Sequence, residues 1–147
     1  MIAVVQRVTR ASVAVSGSAV SEIGRGMVVL VAALSGDTTK EVEWMARRLV
    51  TIRIFEDASR KMNLSAAEVG GEFMIVSNFT VASDAKKGRR PSFDKAADYD
   101  QAKILFDHLI HNMRAEGAKV QTGVYGAEMT VEIINDGPIT IIVETPS

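Results

Sequence analysis

Met27 to Leu34 is a run of eight consecutive apolar residues, rich in valine, with Gly26 before it and Gly36 soon after. A membrane helix needs ~20 such residues, so the run is far too short to span a bilayer. Its β-branched content and glycine borders instead predict a central strand buried on both faces. Such a strand has to lie inside a sheet and be covered by other elements.

Two segments can supply a cover. Val42, Met45, Ala46, Leu49 and Val50 follow helical spacing, and Thr38 with Glu41 forms a capping-box signature ahead of them. A second helix carries Tyr99, Ala102, Leu105, Phe106, Leu109, Ile110 and Met113, with Asp98 to cap its start and Gly117 its end.

The remaining periodicity is that of strands. Ile2, Val4 and Val8 alternate with Ala3, Val5 and Arg7, and Val13 and Val15 alternate in the same way. Ser16-Gly17-Ser18 reads as a turn into a short strand near residues 19–23. Gly70-Gly71 is a second turn, followed by a strand over residues 73–81. A weak strand is expected near 119–122 and a longer one over 129–143. Gly137-Pro138 interrupts the last; proline cannot donate to a ladder, so that strand must bend, bulge or break there. The expectation is an α+β fold in one domain of residues 1–147: a mixed sheet with two main helices packed on it.

Composition narrows the function. Apolar residues make up 47% and charged residues 24% of the 147, which argues against a disordered chain. There is no cysteine, which removes disulfides, thiolate metal sites and a cysteine nucleophile, and fits a reducing compartment. Residues 1–7 lack the charged segment and apolar core of a signal peptide, so the expected address is the cytoplasm. A net charge of −1 and a pI near 6.1 disfavour a generic coat for nucleic acid, leaving only a local patch for such contact.

No nucleophile elbow, Walker loop or dinucleotide fingerprint is present. His108 and His111 stand three apart on one helix, with no third ligand evident; a solvated helix face accounts for them better than a metal pair. Three other segments carry usable chemistry. Ser77-Asn78-Phe79-Thr80 closes a strand, where freed backbone N–H groups can stabilise an oxyanion, although any strand end entering a loop looks alike. Lys86-Lys87-Gly88-Arg89-Arg90 gathers four cations that can hold phosphates or simply be solvated. Asn135-Asp136-Gly137-Pro138 is either a strand-breaking loop or, with a cis X–Pro bond, a way to aim a carbonyl into a site.

Taken in order, several stretches resemble the D-aminoacyl-tRNA deacylase family nearly end to end. They are Val5-Gln6-Arg7-Val8, Arg10-Ala11-Ser12-Val13, Arg53-Ile54-Phe55-Glu56-Asp57 and Lys61-Met62-Asn63-Leu64. Gly88-Arg89-Arg90-Pro91-Ser92-Phe93 and Asn135-Asp136-Gly137-Pro138-Ile139-Thr140 complete the series.

The resemblance implies a homodimeric hydrolase without metal or other cofactor. It would release D-amino acids, and mischarged glycine, from the 3′ adenosine of tRNA. It implies that the Gly137–Pro138 peptide is cis and reaches into the partner's site, with Arg7 holding it. Main-chain carbonyls there would bind the α-ammonium and leave no room for an L side chain, which selects by exclusion. Ser77 and Asn78 would border the substrate, and the Phe79 and Thr80 N–H groups would face the developing oxyanion. Thr80 is one candidate nucleophile; it has no evident base, so activation of water by the tRNA 2′-hydroxyl is preferred. Lys86, Lys87, Arg89 and Arg90 become tRNA contacts.

This chain departs from the family pattern at four places. Asn78 replaces the usual glutamine, Arg60 a glycine, Tyr125 a phenylalanine and Glu128 an aspartate. Two other classes of function remain: a non-catalytic dimeric tRNA-binding module, and a dimeric structural protein whose Gly–Pro loop only mediates assembly.

Overall fold

β1 (Ile2–Val15) unites what the alternation reads as two pieces into one strand with neighbours on both edges. In the computed structural model, which describes residues 1–147, β2 (Ser18–Ile23) and β3 (Gly26–Ala32) lie end to end along one of those edges. They hold a single antiparallel register against β1 from Ile2↔Ala32 to Val13↔Ser21, with Gly24-Arg25 between them. Ser16 and Gly17 take φ of 52° and 77°, the two positive values that a tight hairpin turn requires.

α1 (Thr39–Thr51) starts where the capping box places it. The Glu41 carboxylate accepts from the Thr38 N–H at 2.7 Å and from the Thr38 hydroxyl, which holds its pKa below the usual carboxylate value. Next comes a small hairpin, β4 (Phe55–Glu56) with β5 (Met62–Leu64), too short to show a period in the sequence. Arg60 at its tip sits at φ 60°, so the turn keeps the left-handed conformation that suits glycine.

β6 (Glu72–Ser77) pairs parallel with β3. The strand expected to reach residue 81 stops at Ser77 instead, because the Asn78 side chain caps a 3₁₀ turn, Phe79–Ala82. α2 (Tyr99–Ala115) is capped by Asp98, whose carboxylate accepts from the Gln101 N–H, and is followed by Gly117 at φ 87°. β7 (Val120–Thr122) pairs parallel with β6, and β8 (Thr130–Glu144) runs antiparallel along the second edge of β1.

The result is a six-stranded mixed sheet with the apolar run at its centre. Met27, Val29 and Val31 pack with Val42, Met45 and Leu49 of α1 and Leu105, Leu109 and Met113 of α2. Val28 faces the other way and joins Val8, Ala11, Val13, Ile23, Met74 and Val76 in a smaller cluster. That second cluster exists because β1 changes face. Thr9 is an extra residue against β8 between Val8↔Asn135 and Arg10↔Ile134, so Ala11 and Val13 turn to the side of Val8. Tyr99, expected in the helical core stripe, is 61% exposed at the start of α2.

β6 carries the Ser77–Thr80 segment, and Gly26 decides how closely β6 can approach β3. A Cβ on Gly26 would lie 1.8 Å from the Glu72 carbonyl oxygen. Gly26→Ala is therefore expected to destabilise the fold by about 1–3 kcal/mol or more, as overpacking does, and urea denaturation checks it.

Candidate functional site

Ser77, Asn78 and Phe79 come together at the mouth of a cavity of about 740 Å³. Its floor is the sheet, through Leu30, Val76, Val131 and Ile133, and its wall is aromatic, through Tyr99, Phe106 and Tyr125. Asn78 is extended, with φ −151° and ψ 93°, and its amide oxygen accepts from the Thr80 N–H at 3.2 Å and from the Thr80 hydroxyl. The shorter side chain in place of glutamine thus works as a cap.

The two N–H groups expected to face an oxyanion are consequently unequal. The Thr80 N–H is engaged by Asn78. Phe79 opens the helical turn, so its N–H has no acceptor within the turn. Its residue is 58% exposed at the cavity rim, and its ring meets Phe93 edge-on at 5.2 Å. Thr80 itself is exposed beside the cavity rather than part of its lining.

Tyr125 shows what the phenylalanine-to-tyrosine departure does. Its hydroxyl donates to the Tyr99 carbonyl at 2.8 Å, tying the 123–129 loop to the first turn of α2. Burial pushes its phenol above the ordinary pKa, so it stays a neutral donor. Gly126 next to it has φ 75°, the left-handed conformation that favours glycine.

Phe93 links the cavity rim to the basic loop. Asp84 and Ser92 exchange two backbone hydrogen bonds of 2.8 Å and close the loop at its base. Lys86, Lys87, Arg89 and Arg90 project from it, all exposed and none within ion-pair distance of a carboxylate. The cluster is therefore a cationic surface whose charge is not spent inside the chain.

Arg7, Gly137 and Pro138 form a second constellation, which does not line the cavity of their own chain. Arg7 is 5% exposed. Its guanidinium donates to the Ile54 carbonyl at 2.9 Å and lies 3.8 Å from the Glu56 carboxylate. Nε approaches Asp136 Oδ2 to 3.1 Å, close enough for an ion pair but without hydrogen-bond alignment. The Gly137–Pro138 peptide bond is cis. Gly137 has φ 124°, and a Cβ on it would lie 2.7 Å from Ile139 Cγ1, so no side chain fits.

In the sequence, Asn135 stands out only as part of the segment 135–138, with no role of its own, and Glu56 is not singled out. Asn135 is a half-buried amide on an apolar strand directly before Asp-Gly-Pro, which is the signal that identifies it. Its Nδ2 donates to the carbonyls of Arg7 and Ile139, each at 2.9 Å. His108 and His111 stay on α2, and no three metal-ligating side chains gather anywhere in the chain. No helix is long and apolar enough to cross a membrane.

Comparison with known proteins gives a consistent result. The family model described as D-Tyr-tRNA(Tyr) deacylase matches residues 4–144. The D-aminoacyl-tRNA deacylase of Geotalea uraniireducens (strain Rf4) is 48% identical over 146 residues, covering 99% of this chain and 94% of that protein. That of Carboxydothermus hydrogenoformans is 50% identical over 144 residues, covering 98% and 99%. Among solved structures, a c-Myc DNA Unwinding Element Binding Protein superposes with a TM-score of 0.94 at 41% identity over the full length of both chains. A probable eukaryotic D-amino acid tRNA deacylase shares the fold, with a TM-score of 0.81 at 20% identity over 97% of each chain.

The Asn78 cap has a measurable consequence. Asn78→Ala removes the acceptor for both Thr80 groups and should lower stability by about 1 kcal/mol, read from chemical denaturation.

Proposed function

The chain belongs to the D-Tyr-tRNA(Tyr) deacylase family, and from that premise we propose that it hydrolyses the ester joining a D-amino acid to the 3′ adenosine of tRNA. The products are the free D-amino acid and tRNA. The observation that carries the mechanism is the Phe79 N–H, open at the rim of an apolar cavity beside a loop of four unpaired cations.

The aminoacyl-adenosine end occupies the cavity and the ester carbonyl meets the Phe79 N–H. As water attacks, negative charge collects on that oxygen, and a fixed donor stabilises it more than it stabilises the neutral ester. Thr80 is a poor nucleophile in this arrangement. Its hydroxyl donates to an amide oxygen, which is no base, so nothing in the chain removes its proton. The neighbouring 2′-hydroxyl of the tRNA is the group left to orient the water. Lys86, Lys87, Arg89 and Arg90 hold phosphates of the acceptor end by charge and by arginine forks.

The selective element is supplied by a second copy. In the homodimer, Gly137 and Pro138 of one protomer enter the cavity of the other, and their carbonyls take the α-ammonium. An L side chain then collides with main chain, a D side chain points away, and glycine passes because it has nothing to exclude. What supports this is the position of the loop. It is anchored by Arg7 and lies outside the cavity of its own chain. The protein acts as one domain of residues 1–147 in the cytoplasm, where it removes misacylated tRNA from translation.

Two substitutions separate backbone from hydroxyl chemistry. Proline is tolerated at the first position of a helical turn, and Asn78 already has the extended backbone that precedes a proline. Phe79→Pro therefore deletes one N–H while keeping the turn. In single-turnover hydrolysis of D-Tyr-tRNA it should lose about 10²–10³-fold in rate. Phe79→Ala, which keeps the N–H, and Thr80→Ala should both remain active. A Thr80→Ala protein as inert as Phe79→Pro contradicts the mechanism. A wild-type protein that binds D-Tyr-tRNA and leaves the ester intact contradicts the function.

A further inference from the structure

We infer that Asn135 is a positioning residue whose side-chain amide sets the place of the Gly137–Pro138 loop and, through it, the stereochemical selectivity of the reaction. This rests on the proposed role of that loop as the screen against L esters.

The need for such a residue follows from the β1–β8 register. Gln6 pairs with Thr140 and Val8 with Asn135, so β8 spends five residues where β1 spends two. The surplus has to leave the ladder, and Pro138 has no N–H to offer in any case. Main-chain carbonyls on either side of the break then lack their usual ladder donors, and half-buried carbonyls require partners.

Asn135 provides for both sides with one atom. Nδ2 donates at 2.9 Å to Arg7 O, across on β1, and at 2.9 Å to Ile139 O, on the far limb of the loop. Both neighbours can only accept, which settles which end of the amide is the nitrogen. One side chain thereby fixes the span of the loop and its distance from β1.

Arg7 cannot do this alone. Its contact with Asp136 is an ion pair without alignment, and Arg7 Nε is the one buried side-chain polar atom in the chain without a hydrogen-bond partner. Charge attraction tolerates a range of positions, whereas a hydrogen bond weakens steeply away from its axis. Arg7 draws the loop inward, and Asn135 determines where it stops. No other residue replaces the amide. Aspartate has no hydrogen to give, serine has one, and glutamine reaches one methylene too far. Asn135 does not line the cavity, so its substitution leaves Phe79 and the rim intact.

The test compares Asn135→Asp and Asn135→Ser with the unsubstituted protein in single-turnover hydrolysis of D-Tyr-tRNA and L-Tyr-tRNA. Thermal melts monitored by circular dichroism show whether each variant is folded. For Asn135→Asp, which loses both hydrogen bonds, the L-ester rate should rise roughly tenfold or more, tenfold being about the factor for one ordinary hydrogen bond. The D-ester rate should change in a smaller proportion than the L-ester rate, because the loop carbonyls take the α-ammonium of both esters while only the L side chain meets the main chain. Asn135→Ser, which keeps one donor, should fall between the two and carries the same test if the aspartate variant does not fold.

A folded variant with an unchanged D-to-L ratio overturns the inference, and so does an equal loss of both activities. An unsubstituted protein that cleaves both esters alike defeats the screening role itself. A selective parent whose Asn135→Asp variant keeps the same D-to-L ratio defeats only the role of Asn135.

Discussion

The ladder between β1 and β8 is the constraint from which the site follows. Between Gln6 and Val8, β1 is also held by β3 along its other edge, and the surplus residues of β8 leave the ladder there. β8 sheds them at Asp136-Gly137-Pro138, beside the buried guanidinium of Arg7. A second mismatch, at Thr9, turns β1 over and lets Ala11 and Val13 build the smaller cluster under the cavity floor. Two register faults in one strand pair thus account for both the projecting loop and the smaller cluster behind the cavity.

The proposed chemistry uses main chain where many hydrolases use side chains. Phe79 offers an N–H because Asn78 ends β6 and starts a helical turn in the space of one residue. The same capping contact occupies Thr80, hydroxyl and N–H together. A backbone donor cannot be lost by ordinary substitution, and it needs no particular protonation state. Selection against L esters is likewise assigned to carbonyls rather than to a side-chain pocket. Such a screen discriminates by shape alone and accepts many D side chains.

Much of this was legible in the residues, and the parts that were not have physical reasons. The starts of both helices and the end of α2 could be read, because Thr38–Glu41, Asp98 and Gly117 act locally. The central strand was legible because eight apolar residues admit no other environment. The end of β6 was misplaced by four residues: Phe79 and Val81 have strand character, and only the Asn78 side chain diverts them. Tyr99 sits on the apolar spacing of α2 yet lies at its exposed first turn. The β4–β5 hairpin has too few residues for any period to show. At the site, Ser77, Asn78 and Phe79 could be grouped because they are neighbours in sequence. The contacts of Asn135 and Glu56 with Arg7 could not be read, because they are set by tertiary pairing across 128 and 49 positions.

The central claim is that each cavity is screened by the loop of the other protomer. Mixed dimers test it most directly: one protomer carries Phe79→Pro, its partner carries Gly137→Ala, and the heterodimer is isolated through two different affinity tags. One cavity then has an intact Phe79 and receives an intact loop. The account predicts that the heterodimer cleaves D-Tyr-tRNA and spares L-Tyr-tRNA, although the Phe79→Pro parent is inactive and the Gly137→Ala parent has lost selectivity. A heterodimer that cleaves the L ester as its Gly137→Ala parent does would place the loop in its own protomer's site and contradict the account.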